Sequence, residues 1–397
     1  MKLSLRNIML AAAVAAVAAP AMAVITVKTD WYKNITTNRN ESRFGAGFDG
    51  KVYYNDKANG KVMTVDKDGN VEEYAAVEGL GTGIAIDDAG NVLVSTGFSG
   101  AASATNYVII SAEDKSQTTL TLDINADNAG VAPARTDQIG RVAGNLLSED
   151  GAFFFITMNG ATTVTTVFVQ NGQQAMGDLS YLMSEPAPIS MNTSTCAQPI
   201  YTFEELVDMG DDARKLGFAV RNRGNQNIYY YGESDFVAMT KPNNGHNTSG
   251  TEGFDVFKFG DKMYSINPVV MTKNHENAFE IADEDGNVIF NSVTDGGVPV
   301  ACETGSQSFG SYNARTYYND NGDVEKVEIY QWYGANNNNC LAAMFTVEDT
   351  QGVNDVIAAD AEVAPVYYNL QGVRVANPAN GLYIKVVGEK ASKVLVK

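Results

Sequence analysis

The chain has 397 residues, 44% of them hydrophobic, and carries 47 Asp and Glu against 28 Lys and Arg, a net charge of −19. That excess of carboxylates repels phosphate backbones and anionic lipid, so nucleic-acid binding is disfavoured while neutral glycans, cations and basic proteins stay open as partners. Three cysteines, Cys196, Cys302 and Cys340, are too few for a disulfide scaffold; an oxidising compartment permits one pair, and Cys302 with Cys340, both in the last third of the body, is the expected one.

Residues 1–23, MKLSLRNIMLAAAVAAVAAPAMA, place Lys2 and Arg6 before an apolar run from Ile8 to Ala19, followed by Pro20 and the small-residue pattern Ala21-Met22-Ala23. This is the layout of a secretory signal peptide cleaved after Ala23; the run is shorter than the ~20 residues that span a bilayer and is cut by a proline. No Cys stands at Val24, and no later run reaches spanning length, so neither a lipid anchor nor membrane insertion is expected. Without the leader the chain holds 26 basic and 47 acidic side chains, a formal charge of −21.

The body, residues 24–348, reads as strand and turn. Short β-branched and aromatic runs such as KVYYN, NVLVST, NYVIIS, AFFFITM, TVTTVFV and KVEIYQWY are separated by Gly, Asn and Asp clusters, which is the text of an all-β chain. The turns recur in kind: DKDGN at 66–70, DDAGN at 87–91, EDG at 149–151, DEDGN at 283–287 and NDNGD at 319–323. Asp or Asn supplies side-chain caps there and Gly supplies a positive φ, as hairpin tips require. Calcium is not expected at them, because DKDGNVEEYAAV has Gly fourth and Val twelfth where an EF-hand loop has Gly sixth and Glu twelfth.

One segment, TFEELVDMGDDARKLG, breaks the texture: Thr202 with Glu205 three residues on has the form of a capping box, although a strand with an acidic turn accommodates the same residues.

The stretch from Gly47 to Gly97, with paired short strands, D-x-x-G-N turns and the Gly-rich join GLGTGIAI, resembles the blades of NHL-like or YVTN-like β-propellers. The resemblance implies a propeller of about six or seven blades, each a four-stranded sheet of ~40–50 residues. Two β-sandwiches are the alternative. An outer-membrane barrel is not, because the runs are shorter than the ~9–11 residues of barrel strands and are interrupted by Asp and Asn.

Residues that carry chemistry are sparse. The two histidines, His246 in NNGHNTSG and His275 in TKNHENAF, sit in polar loops without a G-x-S-x-G elbow or an H-E-x-x-H helix, and Cys196 in NTSTCAQP has no catalytic-thiol context. No phosphate loop is present, no cofactor or metal is expected, and no catalytic residue is singled out. A glycoside hydrolase or lyase needs only two placed carboxylates, and 47 acids leave that alternative open without selecting a pair.

Binding has candidates of its own. Trp332 and Tyr333 in YQWYGANNNN, Tyr230 in the run 229–231 and His246 combine aromatic faces with amide-bearing neighbours, the composition that holds sugars and protein anchors. The longest irregular stretches, SEPAPISMNTSTCAQP, KPNNGHNTSG and GANNNNC, are where such a surface is expected. The expectation is therefore a non-enzymatic binding protein for a glycan or protein ligand, with a purely structural surface protein as a further alternative.

Residues 349–365, acidic, small and without a single base, read as a linker. Residues 366–397 then alternate: Val366, Tyr368 and Leu370 share a face, Gly372 breaks the strand, NPANG turns the chain, Leu382, Ile384 and Val386 alternate again, and Val394 and Val396 close a third strand. This short antiparallel β-meander resembles the C-terminal type A sorting domains of the type IX (Por) secretion system. The resemblance rests on YYNLQGVRV with Asn369, Leu370 and Gly372, on the turn from Pro378 to Gly381, on Leu382 and Tyr383 in GLYIKV, and on the ending SKVLVK. It implies secretion machinery as a partner and a destination outside a Gram-negative cell, released or held at its surface.

Overall fold

The computed structural model describes residues 25–349 apart from 38–39, 97–103, 124–138, 158–162, 176–182, 187–194, 223–226, 233–234, 247–252, 273–275, 301–308 and 336–337, and residues 366–396 apart from 370–373, 376–377, 380 and 388–389. Two compact units divide it, a body of Ile25–Glu348 and a unit that contains the C-terminal segment.

Strand β1 (Ile25–Ile35) opens the body, followed by a sheet of β2 (Gly45–Phe48), β3 (Lys51–Asp56), β4 (Lys61–Val65) and β5 (Val71–Ala76) in that order. The second sheet is β6 (Leu80–Ile86), β7 (Val92–Thr96), β8 (Ala104–Ile110) and β9 (Gln117–Asp123). The third runs β10 (Ala143–Gly144), β11 (Ala152–Thr157), β12 (Thr163–Gln170) and β13 (Gln173–Gln174), with β14 (Met183–Pro186) also paired to β12. The fourth is β15 (Thr195–Pro199), β16 (Phe218–Asn222), β17 (Ile228–Tyr231) and β18 (Phe236–Ala238), and the fifth is β19 (Asp255–Phe259), β20 (Lys262–Pro268), β21 (Phe279–Ala282) and β22 (Val288–Asn291). The last takes β23 (Phe309–Tyr318), β24 (Val324–Gly334) and β25 (Cys340–Asp349), with β1 added outside β25. The first strand of the body thus completes its last sheet.

Each hydrophobic cluster of the body joins two consecutive sheets. Tyr53 and Val62 meet Ile84 and Val94, Leu93 and Tyr107 meet Phe154 and Val167, and Phe153 and Phe155 meet Phe218 and Val220. Ala219 and Ile228 meet Phe254 and Val256, and Phe257 and Ile281 meet Ile329 and Phe345. Tyr330 and Trp332 of the last sheet then pack on Val52 and Tyr54 of the first. The sequence of interfaces closes on itself, which is a propeller-like ring and not two sandwiches. Burial of apolar area between sheets is the main force holding it, at ~25 cal/mol per Å².

The turns behave as their residues dictate. Asp49 and Gly50, with φ of 49° and 73°, make the two-residue hairpin between β2 and β3. In DKDGN, DDAGN and DEDGN the first Asp accepts backbone N–H groups two and four residues on, at 2.9 and 3.0 Å from Asp66 and at 3.0 and 2.8 Å from Asp87. Asp283 does the same at 3.0 and 2.9 Å, and Asn319 at 2.9 and 3.0 Å in NDNGD. Thr202 does cap a helix, α1 (Phe203–Met209), with the reciprocal Glu205 bond of a capping box in place.

In the C-terminal unit, β26 (Val366–Tyr368), β27 (Arg374–Val375), β28 (Gly381–Val387) and β29 (Lys390–Val396) form a sheet of order β27-β26-β28-β29. It departs from a simple meander: Arg374 folds back to pair with Tyr368, which leaves β26 between β27 and β28. Of the sorting-like positions, Asn369, Pro378, Gly381, Leu382 and Tyr383 belong to this unit, whereas Leu370 and Gly372 lie outside the described residues.

The expected Cys302–Cys340 pair falls on one described residue only. Cys340 is a fully buried thiol that donates to the Thr37 carbonyl at 3.1 Å and accepts the Ala335 N–H at 3.3 Å. Cys302 lies outside the described residues, as does His275.

Candidate functional site

The six inner strands β2, β6, β10, β15, β19 and β23 lie around a common axis. A narrow void of about 40 Å³ is lined by Gly45, Ala46, Ile84, Gly253, Gly310 and Ser311, from their early and middle parts. A cavity of about 870 Å³ is lined by Phe48, Asp88, Asn145, Ile200, Lys258 and Tyr318, from their far ends and the turns beyond. The inner strands therefore run in one direction, from the constriction toward the cavity.

Two arginines form the floor. Arg315, on β23, donates to the carbonyls of Ile86 at 2.7 Å, Asp87 at 3.1 Å and Gly47 at 2.5 Å. Its guanidinium lies 4.8 Å from the centre of the Phe48 ring, so one side chain ties the ends of three neighbouring inner strands together. Arg141 does the same across the ring, donating to the carbonyls of Pro199 at 2.7 Å and Val256 at 3.0 Å and pairing with Asp255 at 2.9 Å. Asp255 is fully buried and also accepts the N–H groups of Val256 at 2.8 Å and Ala314 at 2.7 Å. Burial outweighs the Arg141 charge and these bonds and pushes its carboxyl up to about 6. Both cations hold strand-end carbonyls, Arg315 as a buried guanidinium and Arg141 as a partly exposed one.

Asp88 stands differently. Its backbone N–H donates to Gly144 O at 2.9 Å, and its Oδ2 accepts the Gly144 N–H at 2.7 Å, which fixes the carboxyl between the second and third sheets. Oδ1 is 3.7 Å from Arg315, and the side chain is 61% exposed into the cavity. The protein packed around it raises the Asp88 pKa, against the lowering effect of Arg315 and the Gly144 N–H, while most of the side chain's own surface stays open to the cavity.

The wall and rim come from α1 and the strand ends. Glu204, Glu205 and Asp208 of α1, with Asp150 opposite, bring four further carboxylates to the cavity. Lys258 lies 3.8 Å over the Tyr201 ring and 3.8 Å from Glu205. Tyr318 is 47% exposed, one of the few large side chains so open. Tyr317 is anchored behind it: its hydroxyl and that of Tyr330 both donate to Glu328, at 2.8 and 2.6 Å.

The residues singled out from the sequence are placed elsewhere. Trp332 and Tyr333 are each 1% exposed and belong to the core. The Trp332 ring stacks on Tyr54 with centroids 4.4 Å apart, and its indole N–H donates to Ser42 O at 2.9 Å. Tyr333 packs in the cluster between the fifth and last sheets, so neither ring is open to a ligand. Tyr230 is partly buried against the cluster between the fourth and fifth sheets. His246 is held by its Nδ1 to the buried Glu280 at 2.8 Å, and Asn291 donates to the same Oε1 at 2.8 Å. None of the four lines the cavity. The loops proposed to build the ligand surface join β14 to β15, β18 to β19 and β24 to β25, at the end of the ring opposite the cavity. Their residues 187–194, 247–252 and 336–337 lie outside the described residues.

No family model and no curated protein matches the chain. Among solved structures, a DUF4623 family protein from Bacteroides eggerthii superposes with a TM-score of 0.51 at 15% identity, over 82% of this chain and 77% of that one. A protein of unknown function from Bacteroides thetaiotaomicron matches with a TM-score of 0.44 at 12% identity, over 82% and 76%. The virginiamycin B lyase of Staphylococcus aureus does so at 0.37 and 11%, over 82% and 99%. At these identities the likeness to the Bacteroides eggerthii protein is one of fold.

Proposed function

We propose that the body is a six-bladed β-propeller that binds an oligosaccharide in the cavity at the far ends of its inner strands, without processing it. The observation that carries this reading is the cavity itself. About 870 Å³ falls within the 300–1,000 Å³ of small-ligand sites, and open aromatic and polar side chains converge on it. Tyr318 offers a ring face for a pyranose, and Asp88 offers an acceptor for its hydroxyls.

A hydrolytic reading has one observation in its favour, the raised pKa of Asp88, which suits a proton donor. It needs a second carboxylate across the scissile bond. Incubation with a panel of oligosaccharides separates the two: binding heat without new reducing ends supports the binding protein, and release of reducing ends supports the hydrolase. Tyr318→Ala is expected to weaken binding at least tenfold with the melting temperature unchanged. Absence of binding across neutral, amino and acidic oligosaccharides would sink the cavity reading.

Export is part of the proposal. The separate C-terminal unit and its sorting-like residues Asn369, Pro378, Gly381, Leu382 and Tyr383 support delivery through the type IX route, and residues 1–23 support prior passage of the inner membrane. The mature N-terminus is expected at Val24. Deleting residues 366–397 should strand the protein in the periplasm; normal appearance outside the cell would refute the sorting role.

A further inference from the structure

Resting on the cavity reading above, we infer that Asp88 is the residue that selects the ligand, and that the sugar reaching the floor carries a free amine. Arg315 spends its guanidinium on three strand-end carbonyls, and Arg141 spends its own on two carbonyls and Asp255. The remaining cation, Lys258, is stacked on Tyr201 beside Glu205. Among the described residues the cations at the cavity are thus each turned toward protein groups, and an acidic sugar would meet Asp88 at the floor and Glu204, Glu205 and Asp208 along the wall.

Asp88 itself is built to accept. The Gly144 N–H fixes Oδ2 at 2.7 Å, while Oδ1 faces the cavity with Arg315 at 3.7 Å, too long for a hydrogen bond. A neutral hydroxyl can donate to that oxygen, but an ammonium group makes a charge-assisted bond roughly twice as strong. An N-acetylated sugar offers one amide N–H with a bulky carbonyl beside it and no charge. A hexosamine with its amine free is the better fit. The groups that act on Asp88 are Arg315, Arg141, Asp87, Glu204, Tyr318 and the Gly144 N–H, and its charge state is set among them.

The test uses the full mature chain and two small probes, the glucosamine disaccharide and its N-acetylated counterpart, titrated calorimetrically at near-neutral pH. Disaccharides keep the protein's general negative charge from dominating, as it would with a long polycation. The amino form is expected to bind about tenfold more tightly. Asp88→Asn should erase that preference, and Asp68→Asn, which removes an equal charge at an exposed turn far from the cavity, should keep it. The preference should also fade at acid pH, beginning above the range of an ordinary aspartate. Equal affinity of the two probes would overturn this inference and leave the oligosaccharide reading standing; equal losses in both variants would reduce the effect to bulk charge and overturn it too. If neither probe nor any other oligosaccharide binds, both readings fall. The comparison of probes on the unaltered protein stays decisive even if Asp88→Asn does not fold.

Discussion

Replacing Trp332 by Ala distinguishes a core ring from a ligand-contacting one. The side chain is 1% exposed, stacks on Tyr54 and donates its indole N–H to the buried Ser42 backbone. Truncating a buried Trp costs about 3–5 kcal/mol through lost transfer energy and the cavity left behind. Leaving the Ser42 carbonyl without its donor adds about 1 kcal/mol. A body of Ile25–Glu348 unfolds with an entropy of roughly 0.7 kcal/mol/K, at ~2.1 cal/mol/K per residue. A loss of about 5 kcal/mol then lowers the melting temperature by about 7 °C. The assay is a thermal melt followed by near-ultraviolet circular dichroism, paired with ligand titration well below the transition, where affinity is expected to be unchanged. A shift under about 1 °C together with lost binding would refute the packing argument and restore Trp332 to the ligand surface.

Three further outcomes follow from the same contacts. Gly47→Ala would set a Cβ 1.8 Å from Tyr330 Cγ, and because that ring is pinned through its hydroxyl by Glu328 and by the Gly50 N–H at 2.9 Å, a loss of about 3 kcal/mol in urea unfolding is expected. Asp255, pushed up to about 6 in the fold, favours its neutral form there. Its contribution to stability is thus full below the unfolded pKa of about 3.9, and roughly 2–3 kcal/mol is lost as pH rises through 6. Asp255→Asn should flatten that part of the pH–stability curve whatever its own offset, and an unchanged slope would remove the assignment. Residues 25–348 alone should melt within about 2 °C of the mature chain, since the C-terminal segment belongs to the other compact unit; a large drop would make the tail part of the body's stability.

Much of the fold is written locally. Asp49-Gly50 forces a positive-φ hairpin, and the Asp-x-x-Gly-Asn turns fold on their own side chains, so the sequence marks hairpin tips without knowledge of the ring. The segment at 202–217 is ambiguous between helix and strand until Phe203 and Leu206 find the third and fourth sheets to pack on. Trp332 and Tyr333 mislead for a definite reason. Alternation along a strand predicts one covered and one open face, yet β24 is buried continuously from Val327 to Gly334 because a neighbouring sheet covers each side. Trp332 fills the interface with the first sheet and Tyr333 the interface with the fifth. Aromatic pairs in a propeller strand therefore record two interfaces and not a surface.

The site was illegible for a different reason. Asp88, Arg141 and Arg315 come from three sheets and are brought together only by ring closure. The one local hint is the doubled acid in DDAGN, where Asp87 satisfies the turn, as Asp66 and Asp283 do in theirs, and Asp88 is left over. Asp87 also receives the Leu146 N–H at 2.8 Å, so the turn is locked to the third sheet and Asp88 is carried to the cavity by that lock. The position of the cavity follows from the same economy. Close approach of Gly253 to the Gly310 carbonyl and of Gly140 to the Ala197 carbonyl draws the inner strands together at one end. At the other, two arginines hold the strand ends around a floor, and the insertion of α1 between β15 and β16 raises a wall on one side. A cavity at the tight-turn end is thus a product of interior packing, and loop length, the cue that pointed to the opposite end, carries no information about it.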